Sequence, residues 1–119
     1  MRLCLWIMLS CLAWAQPAEL TSLGREYQEL RKQSGHFSGG GEWNSKVDRW
    51  NGRKHQVMAE LAEKLGSGQS TQILLAVMGE PDARQGSQWL YYWRGRHDYL
   101  IFDCQQGKIV KSEWWMAGE

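Results

Sequence analysis

The chain has 119 residues, 14 Lys and Arg against 13 Asp and Glu, eight tryptophans and three cysteines. A formal net charge of +1 lacks the basic excess that general nucleic-acid or membrane-surface binding needs, so neither is expected as a partner. Two of the cysteines, Cys4 and Cys11, fall in the first segment, which leaves Cys104 without a mate for an internal disulfide.

That first segment, residues 1–15, reads "MRLCLWIMLSCLAWA". Arg2 supplies a positive start, Leu3 to Leu12 an apolar run, and Ala13-Trp14-Ala15 a small-x-small cleavage site, the pattern of a secretion signal. Cleavage near Ala15 is expected, with a secreted or periplasmic product. A competing reading takes "MLSC" as a lipoprotein box with Cys11 lipidated. The apolar run is about ten residues, short of the roughly 20 that span a bilayer, and no second one follows, so no integral membrane segment is expected. Residues 16–119 are enough for a single domain, and loss of Arg2 balances their charge.

Leu20, Leu23, Tyr27 and Leu30 form one stripe of an amphipathic helix over 20–33, with Gly35 as terminator. The glycine-rich stretch 35–41 cannot continue it and reads as a loop. Ser45 and Asp48 have the form of a capping box that opens a second helix over 45–65, carrying Val47, Trp50, Val57, Met58, Leu61 and Leu65, with Asn51-Gly52 as its weak point. A third helix, 71–78, has Ser70 or Thr71 as cap, Gly79 as C-terminal cap and Pro81 as stop. The period then changes to that of strands at 88–95, 99–104 and 107–115, with "RGRHD" and "QQG" closing hairpins. The expected fold is α+β: two or three N-terminal helices packed on a three-stranded antiparallel β-meander. Its expected core comprises Leu23, Tyr27, Leu30, Val57, Leu61, Leu65, Leu74, Val77, Met78, Leu90, Leu100, Phe102, Val110 and Trp114.

Residues 71–115, through Thr71, Val77, Met78, Gly79, Pro81, Trp89, Tyr91, Leu100, Phe102 and Gly107 to Val110, resemble the small domain of the SmpA/OmlA (BamE-like) family of outer-membrane assembly lipoproteins. That domain is related in fold to β-lactamase-inhibitor proteins. The resemblance implies a short capped helix leading into a three-stranded meander, and a role in assembly. The remainder is similar to uncharacterised small secreted proteins.

For chemistry, alternation sends Trp89, Tyr91 and Trp93 to one sheet face and Leu90 and Tyr92 to the other. One face packs on the helices, so the other should display aromatics that take a protein or carbohydrate partner. The expected binding residues are Trp89, Tyr91 and Trp93 with Trp43, Trp50, Arg53 and His55 of the 34–58 stretch. The opposing view is that the 34–46 loop seals the aromatic face. The basic run Arg49, Arg53, Lys54 and His55 reads first as a solvated helix face, then as partners of Asp98 or Glu113 or the lining of a small anion pocket. The glycines 39–41 lack the Gly-Lys-Ser/Thr entry of a phosphate loop and precede the acidic Glu42. His36 and His55, with Asp98, offer an alternative, a small metal-assisted or hydrolytic site, but no close histidine pair supports it. Cys104, at a strand end, reads as a small core residue. No cofactor, metal site or catalytic residue follows from the residues.

Overall fold

The computed structural model describes residues 18–117. The expected signal segment, its cleavage site and Cys11 lie outside them. The elements are α1 (Ala18–Leu30), α2 (Ser45–Asp48), α3 (Arg53–Lys64), α4 (Thr71–Met78), β1 (Ala83–Gln85), β2 (Gln88–Arg94), β3 (Asp98–Gln105) and β4 (Lys108–Trp115). The four strands form one antiparallel sheet in the order β1-β2-β3-β4. The architecture is thus α+β, as the residue pattern implies, with one strand more than the expected three.

The helices form where the apolar period demands them. Leu20, Leu23, Tyr27 and Leu30 line the buried stripe of α1, and Val57, Met58 and Leu61 that of α3. Gly24 lets α1 approach α4 closely, because a Cβ there would run into the Val77 carbonyl. Ser70 caps α4 by accepting the Gln72 amide N–H at 3.0 Å, and Gly79 at φ 80° ends it. The Tyr91 hydroxyl then donates to the Gly79 carbonyl at 2.8 Å, fastening β2 to the end of α4.

The expected 45–65 helix is two pieces. Asn44, not Ser45, is the N-cap of α2, its side chain accepting from the Lys46 amide. The chain leaves the helix at Arg49 in extended conformation, turns through Asn51 at φ 59° and restarts after Gly52. The Asn51-Gly52 weak point is therefore a break with α3 on its far side.

The sheet's inner face settles the aromatic pattern in the opposite sense to the expectation. Trp89, Tyr91 and Trp93 are buried together with Leu100, Phe102 and Ile109 against the apolar stripes of α1, α3 and α4. Register pairs Trp89 with Phe102 and Tyr91 with Leu100, so all four share the helix-facing side. Leu90, paired with Ala83 and Ile101, is buried on the other side and stands outside that core. Val110, expected inside, is exposed. A register shift between Asp103 and Cys104 inserts an extra residue in β4, so that Ile109 opposite Cys104 turns inward in its place. The missed strand β1 is Ala-Arg-Gln, with no apolar alternation to announce it. Its Arg84 guanidinium lies 4.1 Å over the Trp89 ring and covers that edge of the core.

Candidate functional site

At the turn end of the sheet the 34–49 stretch meets the β2–β3 hairpin, and polar side chains join the two. Asp48, at the C-terminus of α2, has no exposure. One carboxylate oxygen accepts the amide N–H groups of His36 and Asn44, both at 2.8 Å, and the other accepts that of Phe37 at 3.5 Å. A buried carboxylate so supplied with donors is satisfied, and it draws both ends of the glycine-rich loop onto one atom group. Gly35 is required where it stands, since a Cβ would fall within the radii of both Asp48 oxygens.

Arg94 joins this loop to the hairpin. Its Nη1 donates to the Asp48 carbonyl at 2.7 Å and its Nε to Asp98 Oδ2 at 2.8 Å. The guanidinium lies 4.5 Å over Phe37 and 4.2 Å over Trp93. Asp98 Oδ1 accepts the Ala117 amide at 2.8 Å, and Trp93 Nε1 donates to the Val47 carbonyl at 2.7 Å. The stretch 34–49 is an ordered structural loop.

His55 sits among tryptophans, with ring centroids 4.4 Å from Trp50, 4.6 Å from Trp93 and 5.2 Å from Trp114. Burial, and then the nearby Arg94 charge, hold its pKa below the ordinary 6.5. Its Nδ1 faces the Asn51 amide N–H at 3.3 Å. That N–H can only donate, so the ring is the neutral form with its proton on Nε2. His55 braces the Asn51-Gly52 break.

The expected site residues are therefore scattered. Trp50, His55 and Trp93 come together, Trp93 wholly inside. Trp89 and Tyr91 belong to the helix-facing core, a correction to their expected display. Trp43 is exposed and rests edge-on against Phe37 at 6.2 Å. Arg53 pairs with Glu26 of α1 through two hydrogen bonds that hold the Glu26 carboxyl below its usual range. Asp98 serves Arg94 rather than a histidine, and His36 and His97 are exposed. Among the described residues no group of three or more His, Cys, Asp or Glu could hold a metal ion. Burial pushes the Cys104 thiol up to about 11, the reverse of an activated nucleophile. No helix among them is long and apolar enough to cross a membrane.

Two adjoining concavities open between the loop and the hairpin. The larger, about 600 Å³, runs between Phe37, Ser38 and Gly39 of the loop and Tyr92, Gly95, Arg96 and His97 of the hairpin. The smaller, about 130 Å³, lies beside it and is lined by Arg31, Gln33, Ser38, Lys54, Asp82, Tyr92, Trp93 and Gly95. Ser38, Tyr92 and Gly95 line both. Gly95, at φ 58°, brings the hairpin under the loop, and a Cβ would strike the Phe37 carbonyl. Lys54 is 6% exposed and has no hydrogen bond or ion pair to another described residue. Burial pushes its ammonium down to about 8.

On the sheet's outer face, Tyr92 pairs with Tyr99 and Tyr99 with Trp115. The tyrosine rings stand 6.2 Å apart and Trp115 is 56% exposed. Alternation had already set Tyr92 opposite the Trp89 side; what it could not supply was which side faces outward. Phe37 and Arg96 carried no signal beyond their place in a loop and a turn. Comparison with known protein families, curated proteins and solved structures finds no match for the chain.

Proposed function

We propose that the protein is a non-catalytic binding or assembly module, secreted or periplasmic, that engages a protein partner through the outer sheet face. The observation that carries this is the row Tyr92-Tyr99-Trp115, an aromatic strip on the side opposite the helices. Tyrosine and tryptophan give large contact area at small entropic cost. Around the strip stand the exposed Lys111 and Glu113, a mixed-charge rim of the kind that surrounds apolar interface centres. The Tyr92 and Tyr99 rings are tilted by 55°, which is no flat platform for a sugar ring and favours protein over carbohydrate. The assembly role implied by the SmpA/OmlA resemblance of residues 71–115 is part of the same proposal.

The test uses the double variant Tyr99→Ala, Trp115→Ala, after its melting temperature is shown to match the parent. Proteins co-purifying with the parent from the exporting cell are purified and rebound in isolation. Rebinding to the parent with at least tenfold loss on the variant, roughly 1.4 kcal/mol, supports the proposal. Equal rebinding to both removes the outer face from it. Binding to a glycan panel that the double variant loses would replace the protein partner with a carbohydrate.

A further inference from the structure

We propose that the 130 Å³ cavity under Tyr92 is a binding site for a carboxylate, held by the Lys54 ammonium, with the apolar remainder of the ligand lying against Phe37 and Tyr92 in the adjoining groove.

The cavity's charged groups are Arg31, Lys54 and Asp82, and two of the three are already engaged. Arg31 donates from Nη1 to the Met78 carbonyl at 2.9 Å and pairs through Nη2 with Asp82 Oδ1 at 3.1 Å. The second Asp82 oxygen accepts the Tyr92 amide N–H at 2.7 Å. Asp82 is thus hydrogen-bonded to Arg31 and to the backbone, and Lys54, 6% exposed, makes no hydrogen bond or close ion pair with a described residue, although the Asp82 and Asp48 charges favour its ammonium. Lys54 lines the cavity together with Asp82 and Arg31. Burial disfavours the Lys54 ammonium by more than the Asp82 and Asp48 charges favour it, and an anion entering beside it recovers part of that cost.

On the cavity wall two cations face one carboxylate, and the buried Asp48 also acts on Lys54, so the surroundings suit a monoanion better than a phosphate dianion. The volume equals the liquid share of about four water molecules, room for a carboxylate and a carbon or two. Gln33 and Ser38, also on the wall, bring further hydrogen-bonding groups. The larger groove shares Ser38, Tyr92 and Gly95 with the cavity, so a ligand bearing an aromatic or aliphatic part next to its carboxylate spans both. Such a ligand is either a free organic acid or the C-terminus of a peptide chain. This site shares Tyr92 with the strip proposed for the outer face but not Tyr99 or Trp115, so the Tyr99→Ala, Trp115→Ala variant leaves it intact and the two proposals fail separately.

The probes are acetate, benzoate, a tripeptide ending in Phe with a free carboxylate, and the same tripeptide as its amide. Each is titrated into the purified protein while the backbone amide signals are followed by nuclear magnetic resonance. Benzoate or the acid peptide should shift the signals of Ser38, Trp93 and Gly95 saturably, with a dissociation constant of about 1 mM or tighter. The amide should bind at least tenfold more weakly. A stronger benzoate signal identifies a free acid as the ligand class, and a stronger peptide signal a chain terminus. Lys54→Met should melt higher than the parent at pH 7, because a buried ammonium is removed, and bind the acids at least tenfold more weakly. Equal binding of acid and amide by the parent overturns the proposal without recourse to any variant. So does retained acid binding in Lys54→Met or Lys54→Gln, or the absence of saturable shifts with all three acids at about 20 mM.

Discussion

The helix-covered half of the molecule and its turn end are held together by different physics. Where α1, α3 and α4 meet the sheet, the contacts are apolar and non-directional: Leu20, Leu23, Val57, Leu61, Leu74 and Phe102 are buried against one another. At the turn end the organising groups are the Asp48 carboxylate and the Arg94 guanidinium, each with several directed partners. The first kind of region tolerates a swap of similar volume; the second loses several bonds with one atom. Trp93 belongs to both, packed in the core while its indole N–H holds the Val47 carbonyl.

Trp93→Ala should therefore have the largest effect, about 3–5 kcal/mol of lost stability in urea unfolding. A loss below about 1 kcal/mol would show that the two regions are not joined through it. Asp48→Asn separates them. An amide has one accepting oxygen and a donating NH2 in place of the other, so it cannot serve all three N–H groups, and a cost of about 1–3 kcal/mol is expected. Hydrogen exchange should accelerate at the His36 and Asn44 amides and stay slow at those of Tyr27 and Leu61. Uniform acceleration would mean that the loop and the core open as one unit.

A smaller effect is expected from pH. The pKa of His55 is depressed in the fold, so the unfolded chain binds the proton more tightly. Its contribution is fully present above pH 6.5, the ordinary value, and is lost as pH falls through the depressed folded value. Melting temperature should drop over that interval in the parent, and His55→Phe should remove that part of the slope. An unchanged slope would assign the titration elsewhere. Smallest of all, Trp115→Ala should shift stability by no more than about 0.5 kcal/mol, since the ring is exposed and outside the core. A larger loss would make the outer aromatic strip a structural element rather than a contact surface.

How much could be read from the residues follows the same division. Helical stripes such as Leu20-Leu23-Tyr27-Leu30, the Ser70 cap and the hairpin turn at Gly107 were legible because each is set by neighbours within four residues. Alternation grouped Trp89, Tyr91 and Trp93 correctly. It could not say which way the group faces, because both sides of β2 and β3 are rich in large apolar or aromatic residues and only helix docking breaks that symmetry. The bulge that trades Val110 for Ile109 has no local signature. Lys54 sits in a basic run that looks solvated, and its burial comes from Arg31, Asp82 and Tyr92, each more than twenty residues away. Asp48 was visible as a capping partner of its own helix, but its bonds to His36 and Phe37 reach back across the loop.

The bulge has a bearing on how the molecule keeps to itself. A four-stranded sheet that does not close has two open edges, each a template for another copy's backbone. On one side the edge is β1, three residues long, too short to template a stable addition. On the other it is the eight-residue β4, whose start is already covered by residues 68–70 through the Ser70–Lys108 bridge and the bonds of Ile109 to Gly68 and Gln69, and where the extra residue near Val110 interrupts an even ladder of donors and acceptors. Lys108 and Lys111 flank that interruption and repel a second copy laid alongside in register. An aromatic strip can thus lie open to solvent on a sheet whose margins resist stacking into fibres.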